Sequence, residues 1–156
     1  MAHQEWGSEH QAWKELNRAW AHTTGLFPES TELTCTFVAG GTNNTFGAWA
    51  EIEDDTGGTT LKLTAQAASA TLHLCAMFIE STDTADKMYQ IEIGYGSTPT
   101  VVYRIRFGSG TKKVETQQTG RMMCDHIPQG ETIKYRMKCE TASAECTVSF
   151  RFHTHA

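Results

Sequence analysis

The chain has little of what membrane proteins and nucleic-acid-binding proteins need. No apolar run in its 156 residues approaches the ~18 residues of a membrane-spanning helix. The stretch from Met1 to Trp13 has no apolar segment typical of a secretory signal, so we expect none. Thirteen basic residues stand against eighteen acidic ones, and the net charge of −5 leaves no concentrated positive field for a phosphate backbone. We therefore expect neither a membrane nor a nucleic acid as a partner.

The cysteines lack the spacing of a zinc site. The five are Cys35, Cys75, Cys124, Cys139 and Cys146. Their number is odd and no two form a C-x-x-C pair, which disfavours a zinc knuckle. Most of them fall within strand-like alternations, where a thiol packs as a small hydrophobic group. We therefore expect buried, reduced cysteines.

Catalytic motifs are also scarce. No glycine-rich loop opens a helix, as a phosphate-binding loop would. Cys124 and His126 could form a nucleophile pair, but no third group that would orient them is evident. The acidic run from Glu51 to Asp55 could offer oxygen ligands to calcium, although a solvated loop is the more ordinary explanation. We predict that the protein is not an enzyme and has no catalytic residue and no cofactor.

One histidine pair is compatible with a metal site. His153 and His155 are two residues apart, so in a strand both imidazoles would project from one face. A third ligand would have to come from elsewhere, with His73 or His126 as candidates. Histidines close to a chain terminus are usually just exposed, and we predict no metal site. The corresponding alternative is a metal-dependent, cupin-like enzyme.

The first segment has a helical period. Its apolar stripe recurs at i, i+3 and i+7 through Trp13, Leu16 and Trp20. This predicts a helix over residues 9–22, closed by Gly25 and Pro28, within an N-terminal arm of residues 1–28. Two alternatives stay open: the helix packs on its own domain, or the arm buries its tryptophans against a neighbouring subunit.

From Glu32 onward the period changes to two. The alternating apolar positions are Leu33, Cys35 and Phe37; Leu61 and Leu63; Leu72, Leu74, Ala76 and Phe78; Tyr89, Ile91 and Ile93; Val101, Tyr103, Ile105 and Phe107; Ile133, Tyr135, Met137 and Cys139; and Cys146, Val148, Phe150 and Phe152. Short, threonine-rich strands separated by glycine turns are typical of a sandwich. We predict an all-β fold, a jelly-roll-like antiparallel β-sandwich of about eight strands over residues 29–156.

Two predicted hairpins have registers that can be checked. If Cys139 faces Cys146, every inward pair of the last two strands is apolar, as a buried face requires. Ile93 opposite Val101 gives the same result for the preceding hairpin. Directly opposed cysteines could reach disulfide distance. We predict that Cys139 and Cys146 are close together but reduced.

The second half of the chain resembles a pattern found in tailed-bacteriophage virion proteins. The segment from Tyr89 to Gly96 and the strand 101–107 resemble one half of it, and Ile127-Pro-Gln-Gly-Glu-Thr-Ile133 entering a strand resembles the other. Gly47 to Ile52 is similar to an earlier strand of the pattern. The likeness extends over about residues 46–152. The family comprises jelly-roll components of virions: head decoration proteins, spikes and tail or fibre parts.

The resemblance implies a non-enzymatic structural protein of a virion. It would be a capsid decoration module of cement or spike type on the particle surface, assembled in the host cytoplasm and homo-oligomeric. Its partners would be the major capsid protein or other virion proteins. Tryptophan is a frequent anchor at protein interfaces. We therefore expect attachment through the N-terminal arm, with Trp6, Trp13, Leu16 and Trp20 at the interface.

A glycan-binding attachment module of a phage tail or fibre is the alternative. Sugar sites use exposed aromatic platforms with polar neighbours. The candidate contacts for this alternative are Trp49, Tyr95 and Tyr103. A flat, exposed aromatic side chain among these three would favour it.

Overall fold

The structure of the protein is a computed structural model that describes residues 22–30, 32–110, 117–119 and 122–155. The predicted helix over 9–22 lies outside these ranges except for its last residue, which begins a strand. The predicted interface residues Trp6, Trp13, Leu16 and Trp20 lie outside them as well. Among the described residues, no helix is both long and apolar enough to cross a membrane.

Nine strands of the described chain form two antiparallel sheets. The five-stranded sheet contains β1 (His22–Phe27), β2 (Cys35–Val38), β4 (Thr71–Thr82), β7 (Gln117–Thr119) and β9 (Glu145–His155). The four-stranded sheet contains β3 (Ala50–Glu51), β5 (Met88–Tyr95), β6 (Thr100–Gly108) and β8 (Ile133–Cys139). A 3-10 helix at Leu63–Ala67 precedes β4, where Leu61 and Leu63 had predicted a short strand.

The strand order is that of a jelly roll. Strand β2 pairs with β9, β3 with β8, β4 with β7 and β5 with β6, so the chain follows one long hairpin folded over on itself. Rolling up this hairpin adds the β4–β9 and β5–β8 pairings that complete the two sheets. The predicted jelly-roll-like antiparallel sandwich is therefore confirmed.

The space between the sheets is filled by apolar side chains of both. Phe27, Phe37 and Phe150 from the five-stranded sheet and Tyr89 from the four-stranded sheet are among the largest side chains that are fully buried. The Phe37 ring stacks on Tyr135 across the core, with centroids 3.7 Å apart. Each buried side chain of this size stabilises the fold by roughly 1.5–3 kcal/mol, so the sheet–sheet interface is the main source of stability.

The predicted pairing of the last two strands is wrong. β8 and β9 belong to different sheets, so Cys139 and Cys146 are not register partners. Both strands have an apolar inward face, and the two faces oppose each other across the core instead of lying side by side. Alternation alone does not distinguish these two arrangements. All five cysteines are described, and none forms a disulfide.

The hairpin of β5 and β6 is present with a different register. Ile93 pairs with Tyr103 instead of Val101, so the register differs from the predicted one by two residues, of which the irregularity between Ile93 and Gly94 accounts for one. Gly94 lets the backbone of β6 come close to β5 at this point, since a Cβ at Gly94 would lie only 2.8 Å from the Thr100 carbonyl oxygen.

The sandwich begins earlier than the predicted boundary at residue 29. Strand β1 pairs with β9 from His22 to Phe27, within the predicted arm. Gly25, which the helical interpretation made a helix end, lies in this strand and leaves room for the Phe152 ring. A Cβ at Gly25 would approach the ring's Cζ atom to 2.5 Å. The strand escapes prediction because it is short and contains one strongly apolar pair.

Candidate metal centre

Four histidines from three chain segments gather on the outer face of the five-stranded sheet. His73 lies in β4, and His153 and His155 lie in β9. His126 lies in residues 122–127, which run beside β4 through paired hydrogen bonds between Leu72 and Ile127. We call His73, His126, His153 and His155 the histidine cluster.

Alternation of the two strands places these imidazoles on the outer face. Leu72 and Leu74 are fully buried, so His73 between them projects from the opposite side of β4. Phe152 is likewise buried, which turns His153 outward from β9. The register pairs His73 directly with His153, and the two side chains therefore meet.

Three of these imidazoles, those of His73, His153 and His155, are close enough to share one ion. His73 Nδ1 and His153 Nε2 are 3.1 Å apart. One ring nitrogen from each of His73, His153 and His155 lies within 4.8 Å of the others. The His126 ring centroid is 4.9 Å from those of both His73 and His155. Imidazole nitrogens are the commonest protein ligands of zinc and also suit copper, nickel and iron.

A β-bulge brings a cysteine to the same place. The pairing of Leu74 with Phe152 is followed by that of Ala76 with Arg151, so Cys75 is an extra residue on β4. A bulge re-aims the side chain that it carries. The Cys75 Sγ atom lies 2.8 Å from Nδ1 of His153, on the opposite side of the ring from His73.

The segment beside β4 adds a second thiol and an open depression. Cys124 Sγ donates to the Leu74 carbonyl oxygen at 3.3 Å. Burial raises the pKa of Cys124 and keeps it a neutral thiol, an effect that this hydrogen bond only partly offsets. A depression of about 430 Å³ adjoins the cluster and is lined by His73, Met122, Met123, Cys124 and Asp125.

The prediction that His153 and His155 are merely exposed is wrong. Both are half-buried, because their rings pack on each other with centroids 4.7 Å apart and His153 also packs on His73. His73 and His126, the two candidate third ligands, both lie beside them. The bulge at Cys75 was not predicted, and no local signal in the sequence indicates it.

Comparison with known proteins adds no relative. The chain matches no protein-family model, no curated protein and no solved structure. What its surfaces can do therefore follows from its own residues.

The outer face of the four-stranded sheet carries a buried ion-pair triad. The Glu92 side chain is 1% exposed and lies between two arginines. Arg104 and Arg136 each contact it through a fork of two nitrogens at 2.6 Å. The Arg136 guanidinium also covers the rings of Phe46 and Trp49, at 4.4 and 4.8 Å from their centroids. This face is therefore a closed network of charges and aromatic rings.

The three candidate glycan contacts do not form one platform. Trp49 is half-buried on this outer face beneath Arg136. Tyr95 and Tyr103 instead pack against the hydrophobic core. Trp49 thus lies on the opposite side of the sheet from the other two rings.

The acidic run from Glu51 to Asp55 holds loops together. The buried Asp54 carboxylate accepts hydrogen bonds from Thr56 Oγ1 at 2.5 Å and Leu61 N at 2.9 Å. Burial alone would raise the pKa of Asp54, but these hydrogen bonds outweigh it and hold the pKa below its usual value. Asp55 and Glu51 also bond to neighbouring side chains. A solvated loop does not describe this segment, since its carboxylates bond to the protein.

Proposed function

We propose that this chain is a non-enzymatic structural module of a virion, a capsid decoration protein of cement or spike type. The observation that carries the proposal is the strand order of a jelly roll whose interior is packed solid with side chains. Jelly rolls of this kind build viral capsid proteins and lectin domains. Since a fold alone does not decide function, the resemblance of residues 46–152 to tailed-phage virion proteins adds the second support.

The state of the described reactive groups also favours a structural role. Glu92, the buried acid on the four-stranded sheet, is held by ion pairs to two arginines. Burial raises the pKa of Cys146 to about 12 and that of Cys35 well above its usual value, so both stay neutral thiols. Nucleophilic catalysis by cysteine needs a thiolate, which these two buried residues do not supply.

Attachment is assigned to the residues that precede β1. Strand β1 forms part of the edge of the five-stranded sheet beside β9, so the chain enters the sandwich at that edge. The preceding residues include three of the four tryptophans of the protein. We assign Trp6, Trp13, Leu16 and Trp20 to the contact with the major capsid protein, another virion protein or a second copy of this chain.

Removing the arm while leaving β1 intact tests this function. Deletion of residues 1–20 stops before His22 and keeps all nine strands of the described part of the chain. The truncated protein should melt within a few degrees of the full chain and lose its place on purified particles, as measured by copy number in gradient-purified virions. A matched control replaces Met123, which is 88% exposed on the sandwich, with serine and should keep full occupancy. Full occupancy of the truncated protein would reject the proposal.

Glycan binding is the second candidate and rests on the pair of Phe46 and Trp49 on the outer face of the four-stranded sheet. Aromatic rings beside Arg136 and Lys138 offer an apolar plane with hydrogen-bond donors around it. It ranks second because a sugar would first have to displace the Arg136 guanidinium. A glycan array with the full chain and with Trp49→Ala decides it: saccharide binding that the substitution abolishes supports it, and an array without binding excludes it.

A further inference from the structure

We propose that the histidine cluster binds one divalent first-row transition-metal ion, with zinc as the reference ion. In this assignment His73, His153 and His155 are ligands, and His126 closes the coordination. The inference concerns the outer face of the five-stranded sheet and is independent of the virion proposal. Either can fail without the other.

The distances fit such an ion. Zinc–nitrogen bonds of ~2.0–2.1 Å in a tetrahedron place neighbouring ligand nitrogens about 3.3–3.4 Å apart. The His73 Nδ1 to His153 Nε2 distance of 3.1 Å is already close to this value. The ligand nitrogens of the three-histidine group all lie within 4.8 Å of one another, and side-chain rotations that move two rings by roughly 0.7 Å each bring that separation to the tetrahedral value.

Cys75 fixes the orientation of one ligand. With Nδ1 of His153 donating its hydrogen to Cys75 Sγ at 2.8 Å, the lone pair of this imidazole lies on Nε2, towards His73. Metal-binding histidines almost always donate their second N–H in this way, and such partners orient the ring. We therefore assign Cys75 as a positioning residue that acts through His153.

The ligand set selects the class of ion. Calcium and magnesium require oxygen ligands, whereas neutral imidazoles favour zinc, nickel, copper and cobalt. His73, His153 and His155 supply three of the four ligands of a tetrahedral zinc site, and His126 supplies the fourth. The ligands come from β4, β9 and the segment 122–127, so the ion would cross-link three neighbouring segments at one end of the sheet.

Calorimetric titration of the untagged full chain, stripped of metal with a chelator, tests the site. Zinc should bind with a stoichiometry of one, and calcium should not bind. At a hundredfold excess over Kd, zinc should raise the melting temperature by about 5–10 °C. Absence of zinc binding at one equivalent, or calcium binding of equal strength, would overturn the proposal.

Substitutions locate the ligands. His73→Gln and His153→Gln should each lower the affinity for zinc by at least the ~10–100-fold expected for loss of an outer-shell partner. His126→Gln should lower it less, and an unchanged affinity would remove His126 from the ligand set. The matched control, His3→Gln with His10→Gln, should bind like the parent chain. Loss of binding in this control alone would place the metal elsewhere and overturn the proposal.

Two variants of Cys75 separate positioning from packing. Cys75→Ser keeps an acceptor for the His153 N–H and should bind within about tenfold of the parent chain, whereas Cys75→Val removes it and should lose ~10–100-fold. Equal affinities would contradict the positioning role. NMR of the imidazole nitrogens in the unmodified chain tests the site without relying on variants that could misfold. Zinc should shift the nitrogen resonances of at least three imidazoles, and a response from fewer would overturn the site.

Discussion

The Arg104–Glu92–Arg136 triad allows a quantitative prediction about the four-stranded sheet. Glu92 pairs with Arg104 on β6 and with Arg136 on β8, so its carboxylate lies at the centre of three strands. Glu92→Gln keeps the size of the side chain but removes its charge. The amide offers one oxygen acceptor and turns its own N–H donors towards a guanidinium. One of the two arginines therefore loses its acceptor, and the other keeps only a neutral one, so both ion pairs are lost.

The two arms of the triad should contribute unequally. The Arg104 side chain is 62% exposed, so its pair with Glu92 resembles a surface ion pair worth about 0.2–1 kcal/mol. The Arg136 side chain is 31% exposed, and its hydrogen bonds to the buried carboxylate should be worth about 1.5–3 kcal/mol. We expect Glu92→Gln to lower the free energy of unfolding by roughly 2–4 kcal/mol.

Urea unfolding monitored by tryptophan fluorescence measures this, with two double-mutant cycles. Glu92→Gln is combined with Arg136→Met in one cycle and with Arg104→Met in the other. The contacts of Arg136 with Phe46 and Trp49 are lost both in the single variant and in the double variant that lack the arginine. Their contribution to the unfolding free energy therefore cancels in the coupling free energy. The coupling free energy should be larger for Arg136 than for Arg104. Equal couplings, or a larger one for Arg104, would refute the reasoning from burial.

Three further predictions concern the loops and the thiols. Asp54→Asn should destabilise the protein at neutral pH, because the lowered pKa of Asp54 contributes stability only while the carboxylate is ionised. The difference in unfolding free energy between the variant and the parent chain should therefore shrink as the pH falls below ~4. A difference independent of pH would contradict this. Gly40→Ala should cost about 1–3 kcal/mol in thermal melting, since its Cβ would lie 2.3 Å from the Thr45 carbonyl oxygen; an unchanged melting temperature would argue against this loop geometry. A thiol reagent should label at most the half-buried Cys75 and Cys124 in the native protein and all five cysteines after denaturation; rapid native labelling of a third would contradict the burial.

Strand content and fold class could be predicted from the sequence because burial imposes a period of two. The alternation of Tyr89, Ile91 and Ile93 is realised in full, and all three are completely buried. The same rule fails beyond Leu74, because the bulge at Cys75 exchanges the inward-facing and outward-facing positions of β4. Met77 and Ile79 are buried there, in place of the predicted Ala76 and Phe78. Apolar residues occupy both phases after Leu74, so the sequence does not show which of the two is buried.

Pairing between strands is less predictable than their existence. The turn 96–99 joins β5 to β6 locally, and that hairpin was predicted correctly apart from its register. The turn 140–144 is only one residue longer but carries the chain from one sheet to the other. Two apolar faces can be buried by lying side by side or by opposing each other, and both options satisfy the same alternation. The pairings β4–β9 and β5–β8, which form only when the whole jelly roll is complete, decide between the two arrangements.

The histidine cluster depends on the complete jelly roll. His73 and His153 are 80 residues apart, and the β4–β9 pairing that joins them arises from the rolling-up of the long hairpin, not from any turn. The apolar neighbours in the sequence show that His153, His155 and His73 project outward. They do not show that the two strands carrying these histidines are adjacent. The register is then set by the core, where Leu74 pairs with Phe152 and Met77 with Phe150. A slip of one residue would turn these apolar groups outward, so the forces that pack the interior also hold the imidazoles within reach of one ion.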